Sequence, residues 1–202
     1  MSRLIYIPSG VAAYTDAKSL NLGASNTTKY VNLGASAFNY ENTQALTFSM
    51  WVKLSANNVY QAFFNNQSDA TSTGYVFGLK NTGALWMQIW NGTRIQCYTT
   101  ETVGTAAWHH VALTYDGSVS SAGVAFYIDG TASTVTQQFN SLVGSTVSNT
   151  NLKLGMNISL GSLIDPVLGY INEVAIFNAA LSAGNITTIY NAGHTGDISA
   201  MS

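Results

Sequence analysis

The sequence predicts an all-β protein, a two-sheet antiparallel jelly-roll sandwich with one short helix near the C-terminus. Three observations carry this. Short apolar runs of period two recur along the chain. Turn dipeptides separate them, among them Asn91-Gly92, Asp116-Gly117 and Asp129-Gly130. Gly and Asn are spread evenly, so no linker divides the 202 residues, a length that one sandwich accommodates.

Taken in order, the first 18 residues fit the pattern least. Leu4, Ile5, Tyr6 and Ile7 form an apolar run ahead of the first clear strand, "SLNLG". Residues 1–18 are therefore set apart as an N-terminal arm or edge strand, and 19–202 as the jelly-roll domain. In "LTFSMWVKL" (46–54), Leu46, Phe48, Met50, Val52 and Leu54 alternate with Thr47, Ser49, Trp51 and Lys53. The first set is predicted to face the core, and Trp51 to border an open, solvated side. "YVFGL", "LWMQIW", "HVALTY", "VAFYI" and "EVAIF" are further strands. The helix is "LSAGNITTIYNAG": Ser182 suits an N-cap, Ile186, Ile189 and Tyr190 share a face, and Gly193 ends it.

The hairpin "LWMQIWNGTRIQCY" (85–98) matters most for function. A two-residue turn at Asn91-Gly92 pairs Trp90 with Thr93, Gln88 with Ile95 and Trp86 with Cys97. Both tryptophans then go inward with Ile95 and Cys97. The open face holds Leu85, Met87 and Ile89 together with Arg94, Gln96 and Tyr98. Sugar sites combine aromatic platforms with a few planar polar groups. Arg94, Gln96, Tyr98 and Trp51 are therefore the candidate ligand-binding residues. Slipping the register by one residue reverses every assignment in this hairpin.

Composition excludes several function classes. Charged residues make up 8% of the chain and the net charge is −2, so no basic stripe tracks a phosphate backbone and no nucleic-acid partner is expected. "MSRLIYIPSG" is too short an apolar run for a signal peptide or a membrane span, so no membrane partner is expected and synthesis is placed in the cytoplasm. A lone cysteine, Cys97, allows no internal disulfide and reads as a packed thiol. The glutamates Glu41, Glu101 and Glu173 each lack a second carboxylate two residues away, so no strand carries a glycosidase pair. No nucleophile elbow occurs. His109 and His110 fall on opposite faces of one strand and cannot share a metal; His109, in step with Val111, Leu113 and Tyr115, is read as a buried or sheet-end residue. Asp116 and Asp129, each before a glycine, are read as turn residues. The chain is expected not to be an enzyme.

"KYVNLG", "LTFSMWVKL", "WHHVALTYDGS", "VAFYIDG", "NLKLG", "GYINEVAIFNAALS" and "ITTIYNAG" follow in fixed order. This succession resembles the laminin G-like branch of the concanavalin A-like lectin/glucanase jelly rolls, of the kind found in bacteriophage virion proteins; the closing "IYNAGHTGDIS" is most similar to the phage-associated members. The resemblance implies two face-to-face sheets, one of them concave. It also raises a structural calcium near Asn172, which stands in "GYINEV" where many relatives carry an acid; an amide oxygen can ligate but brings no charge. No other cofactor is expected. Two functions follow as expectations. The first is a non-enzymatic virion structural protein on the particle surface, a capsid decoration or tail component, anchored to other virion proteins or its own copies through Leu4, Ile5, Tyr6 and Ile7. The alternative is a carbohydrate-binding lectin or adhesion module, virion-borne or extracellular, that uses the concave sheet to hold host surface glycans.

Overall fold

The computed structural model describes residues 5–6, 19–23, 29–34, 39–68, 70–159 and 162–193. Among the described residues sixteen strands and one α-helix follow one another. They are β1 (Ile5–Tyr6), β2 (Leu20–Gly23), β3 (Val31–Asn32), β4 (Leu46–Leu54), β5 (Gln61–Asn65) and β6 (Gly74–Leu79). Then come β7 (Ala84–Trp90), β8 (Arg94–Thr102), β9 (Trp108–Tyr115), β10 (Val124–Ile128) and β11 (Thr131–Ala132). β12 (Val135–Asn140), β13 (Lys153–Leu154), β14 (Asn157–Ser159), β15 (Ser162–Ile164), β16 (Gly169–Phe177) and α1 (Ala183–Ala192) complete the chain.

Two large sheets form the sandwich. The first runs β1-β16-β4-β9-β10-β11, with β2 also on β16; the second runs β12-β8-β7-β6-β5-β13-β3; β14 and β15 form a separate ribbon. Each pairing described is antiparallel. The alternating residues predicted for β4 line the core: Phe48, Met50, Val52 and Leu54 meet Val111, Leu113 and Phe126 from their own sheet and Phe64, Phe77, Met87 and Ile95 from the other. Phe48 stacks on Phe64 across the two sheets at 4.5 Å. Burying a side chain of this size contributes about 1.5–3 kcal/mol, so this one layer dominates the packing. Tyr115 closes one end: its hydroxyl donates to the Asn42 carbonyl at 2.6 Å and accepts from the Val119 amide at 2.8 Å. Burial pushes that phenol up to about 12.

The helix forms as its sequence predicts. The Ser182 hydroxyl caps the Asn185 amide, Gly193 takes a left-handed φ of 76°, and Ile186 and Ile189 are buried. It packs on the outer face of the first sheet against Ala112, Tyr127, Ala175 and Phe177. This corrects the expectation for β4. Thr47, Ser49 and Trp51 do not border solvent: Thr47 is bonded to Ala179 and Leu181 ahead of α1, Ser49 to His110, and Trp51 is 7% exposed and stacks on Tyr190 of α1 at 5.6 Å. A second sequence element roofs this face, and strand alternation cannot show that.

β1 is an edge strand: Ile5 and Tyr6 pair with Ile176 and Ala175 of β16. Leu4 and Ile7 lie outside the described residues, as do the rest of 7–18 and the closing 194–202.

Candidate functional site

The β7–β8 hairpin departs from expectation by one residue. Trp90 pairs with Arg94, Gln88 with Gln96 and Trp86 with Tyr98. The loop is Asn91-Gly92-Thr93: the Asn91 amide donates to the Thr93 carbonyl at 3.0 Å, and the Asn91 side-chain oxygen accepts from the Thr93 hydroxyl at 2.9 Å. Gly92 takes the left-handed φ of 102° that this loop needs. Three loop residues in place of two turn β7 over relative to that expectation and leave β8 as predicted.

Leu85, Met87, Ile89, Ile95 and Cys97 therefore enter the core, and both tryptophans face outward with Arg94, Gln96 and Tyr98. The signal was present in the sequence. A two-residue turn buries Gln88 beside Ile95, and a buried amide without partners is costly; a three-residue loop instead makes one face of both strands wholly apolar. Cys97 is packed as expected, and burial pushes its thiol up to about 11.

The outward residues form a strip of three rows. Trp86 sits beside Tyr98, Gln88 beside Gln96 and Trp90 beside Arg94. Room for the tryptophans comes from β6, which puts Gly78 opposite Trp86 and Gly74 opposite Trp90. A Cβ at Gly78 would stand 2.0 Å from the Gln61 carbonyl oxygen, so only glycine lets β5 and β6 approach here. Trp86 lies deepest, with Ala62 and Val76, and its indole N–H has no acceptor among the described residues. The flanks are organised by cations on rings. The Arg94 guanidinium lies 3.5 Å from the centre of the Phe139 ring on β12 and 5.1 Å from that of Trp90. Lys80 Nζ stands 3.9 Å over Tyr98. Gln96 donates to Gln138 at 2.8 Å. At one end Tyr60, 41% exposed, meets Trp86 edge-on at 5.9 Å. Tyr60 also lines an open pocket of about 420 Å³ with Asn58, Val59, Asn81, Asp165 and Pro166.

The structure thus brings Arg94, Gln96 and Tyr98 together and places Trp51 under α1 on the opposite sheet. Trp86, Trp90, Phe139, Lys80 and Tyr60 join the predicted residues; the last three come from β12 and from loops, whose approach no local pattern encodes.

His109 and His110 occupy two different environments. His110, fully buried, contacts Ser49 Oγ through Nε2 at 2.9 Å and lies between Trp51 and Tyr190; burial pushes it down to about 4, against a smaller opposing pull from Asp129. His109 is the half-buried one, at the sheet end, with Nδ1 2.8 Å from Asp129 Oδ2. The core-facing assignment of His109 therefore holds only as a sheet-end position, because α1 makes the other face the drier one. Asp129 does turn the chain before Gly130, yet its carboxylate bonds are long-range: it also accepts from the His110 amide at 2.9 Å. Asp116 is a local turn residue that accepts from the Ser118 amide at 2.8 Å.

The three glutamates stand apart. Glu41 binds Ser145 and Thr146, Glu101 binds the Thr134 amide, and Glu173 is buried in a bulge of β16. Asn172 is buried, its side-chain oxygen accepts from the Glu173 amide at 3.0 Å, and no group of three or more His, Cys, Asp or Glu suited to a metal occurs among the described residues. No described helix is long and apolar enough to cross a membrane.

Residues 25–187 match a laminin G-like family model described as the concanavalin A-like lectin/glucanases superfamily. Among solved structures, the CBM40 of the Ruminococcus gnavus IT-sialidase bound to α2,3 sialyllactose superposes with a TM-score of 0.55 at 16% identity, over 73% of this chain and 83% of that one. Domain 4 of AbnA, a GH43 extracellular arabinanase from Geobacillus stearothermophilus in complex with arabinotriose, gives 0.57 at 21% identity, over 94% and 87%. The binding domain of Paraclostridial Mosquitocidal Protein 1 gives 0.64 at 16% identity, over 95% of this chain and 47% of that one. No curated protein sequence matches the chain.

Proposed function

The chain belongs to the concanavalin A-like lectin/glucanase superfamily, and on that premise we propose that it is a non-catalytic carbohydrate-binding module whose ligand lies on the outer face of β7 and β8. The observation that carries this reading is the strip itself: Trp86, Trp90 and Tyr98 share one face with the planar polar groups of Gln88, Gln96 and Arg94. Sugar rings present apolar faces that stack on aromatic rings and a hydroxyl rim that amides and guanidinium recognise. Sialyllactose and arabinotriose in the solved complexes support a saccharide as ligand. Screening a glycan array, with and without calcium, tests the reading. Specific glycans are expected to bind, and Trp90→Ala to weaken them by about 5- to 150-fold, as loss of a stacking partner worth about 1–3 kcal/mol implies. An empty array would sink it.

A second reading is display of this module on a bacteriophage particle, with which the position of β1 is compatible. Ile5 and Tyr6 pair on the edge of the first sheet, away from the strip on the second. Anchoring to virion proteins or to its own copies through the N-terminal segment would leave the strip free for host surface glycans. Removing residues 1–14 is expected to abolish association, read by light scattering or particle incorporation, and to leave glycan binding intact.

A further inference from the structure

The charge on the strip is one-sided. The whole chain holds only seven Lys and Arg against nine Asp and Glu. Yet Arg94 and Lys80 both stand on this face, and neither has an ion pair among the described residues, where the only one is His109–Asp129. The described carboxylates have other partners: Glu41 the 145–146 loop, Asp116 its own turn, Asp129 His109, Glu101 at the far end of β8 the Thr134 amide, and Asp165, which lines the pocket beside Tyr60, Asn157. Glu173 is on the other sheet.

Arg94 is also prepared for an anion. The guanidinium carbon lies 3.5 Å from the centre of the Phe139 ring and 5.1 Å from that of Trp90, contacts that restrict the side chain while its N–H donors make no hydrogen bond among the described residues. A fixed fork loses little conformational freedom when it takes a carboxylate or sulfate in two parallel hydrogen bonds. Lys80 is seated in the same manner on Tyr98. Tyr98 is four residues along β8 from Arg94, about 13 Å at the rise of a strand, so two anchored cations bracket the aromatic and amide rows.

Resting on the carbohydrate reading, we propose that the ligand is an acidic saccharide, with its anionic group on Arg94 and a second one, or a polar rim, toward Lys80. The shared chemistry is a carboxylate or sulfate on a sugar ring, and the probes separate the two.

The test uses the full chain on an array that carries each backbone in neutral, carboxylated and sulfated forms, lactose and sialyllactose among them, followed by titration at two salt concentrations. Acidic members are expected to bind about tenfold or more tighter than their neutral counterparts, as a charge-assisted bidentate contact implies, and to lose more affinity as salt rises. Arg94→Met should weaken acidic members more than neutral ones and so bring the acidic-to-neutral ratio near one; Arg94→Lys should keep part of the preference. Unchanged thermal melting shows that the variants fold, and Lys80→Met provides a surface variant if they do not. Equal binding of acidic and neutral forms overturns this inference and leaves the carbohydrate reading standing. A preference that survives Arg94→Met and Lys80→Met overturns it too. Binding to no saccharide at all overturns the carbohydrate reading itself.

Discussion

His110 shows what burial does to a single residue here. Fully enclosed between β4 and α1, it is held neutral because its charged form would lose its hydration, and its pKa falls to about 4 from an ordinary 6.5. The unfolded chain takes up that proton near pH 6.5 and the folded one only near pH 4. Its contribution is therefore complete above pH 6.5, is lost progressively as pH falls toward 4, and then stops changing. The loss should amount to at most about 3 kcal/mol, from 1.36 kcal/mol per pKa unit. Urea unfolding at pH 7.5 and 4.5 checks it: His110→Gln should show a smaller drop than the natural chain, and equal drops would exclude His110 as the cause. Gly78 is the other residue whose identity is dictated by contact. Gly78→Ala should lower the melting temperature sharply, since the added carbon meets backbone at Gln61 and no side chain can move aside.

At the scale of elements, the β7–β8 hairpin sets the face of the whole candidate site. Its register makes opposite forecasts for adjacent positions. Gln88→Lys, on the outer face, should leave stability nearly unchanged; Ile89→Lys, in the core, should unfold the protein or cost more than about 3 kcal/mol, as an unpaired buried charge does. Circular dichroism and denaturant titration distinguish them, and tolerance of Ile89→Lys would restore the two-residue turn. Helix α1 plays a different part, as the roof of Trp51 and His110. Ile186→Ala should cost about 2–5 kcal/mol and red-shift tryptophan emission as Trp51 gains water.

For the whole molecule, the two sheets divide the labour. One carries α1 on its outer face and β1 on its edge; the other presents the candidate strip on the outer face of β7 and β8. Much of this was legible in the chain. The alternation of Leu46 to Leu54 named the core face of β4 correctly because side chains in a strand alternate whatever surrounds them. Ser182 and Gly193 marked the helix ends because capping is local. Arg94, Gln96 and Tyr98 were legible as an outward set, but their tryptophan neighbours were not: a loop one residue longer reversed β7 relative to expectation. Trp51 was misplaced because alternation says which residues share a face and not what covers that face.

The sequence by itself determined the sandwich, its core strands, its capped helix and the lack of a carboxylate pair within any strand, since each follows from spacing along the chain. The tertiary structure alone decided which outer face carries the strip, that Phe139 and Lys80 flank it, and that His110 is consumed in packing and His109 in a sheet-end contact with Asp129. Those outcomes depend on contacts between residues far apart in sequence, such as Arg94 with Phe139 or Trp51 with Tyr190, whose energies appear only once the sheets have docked.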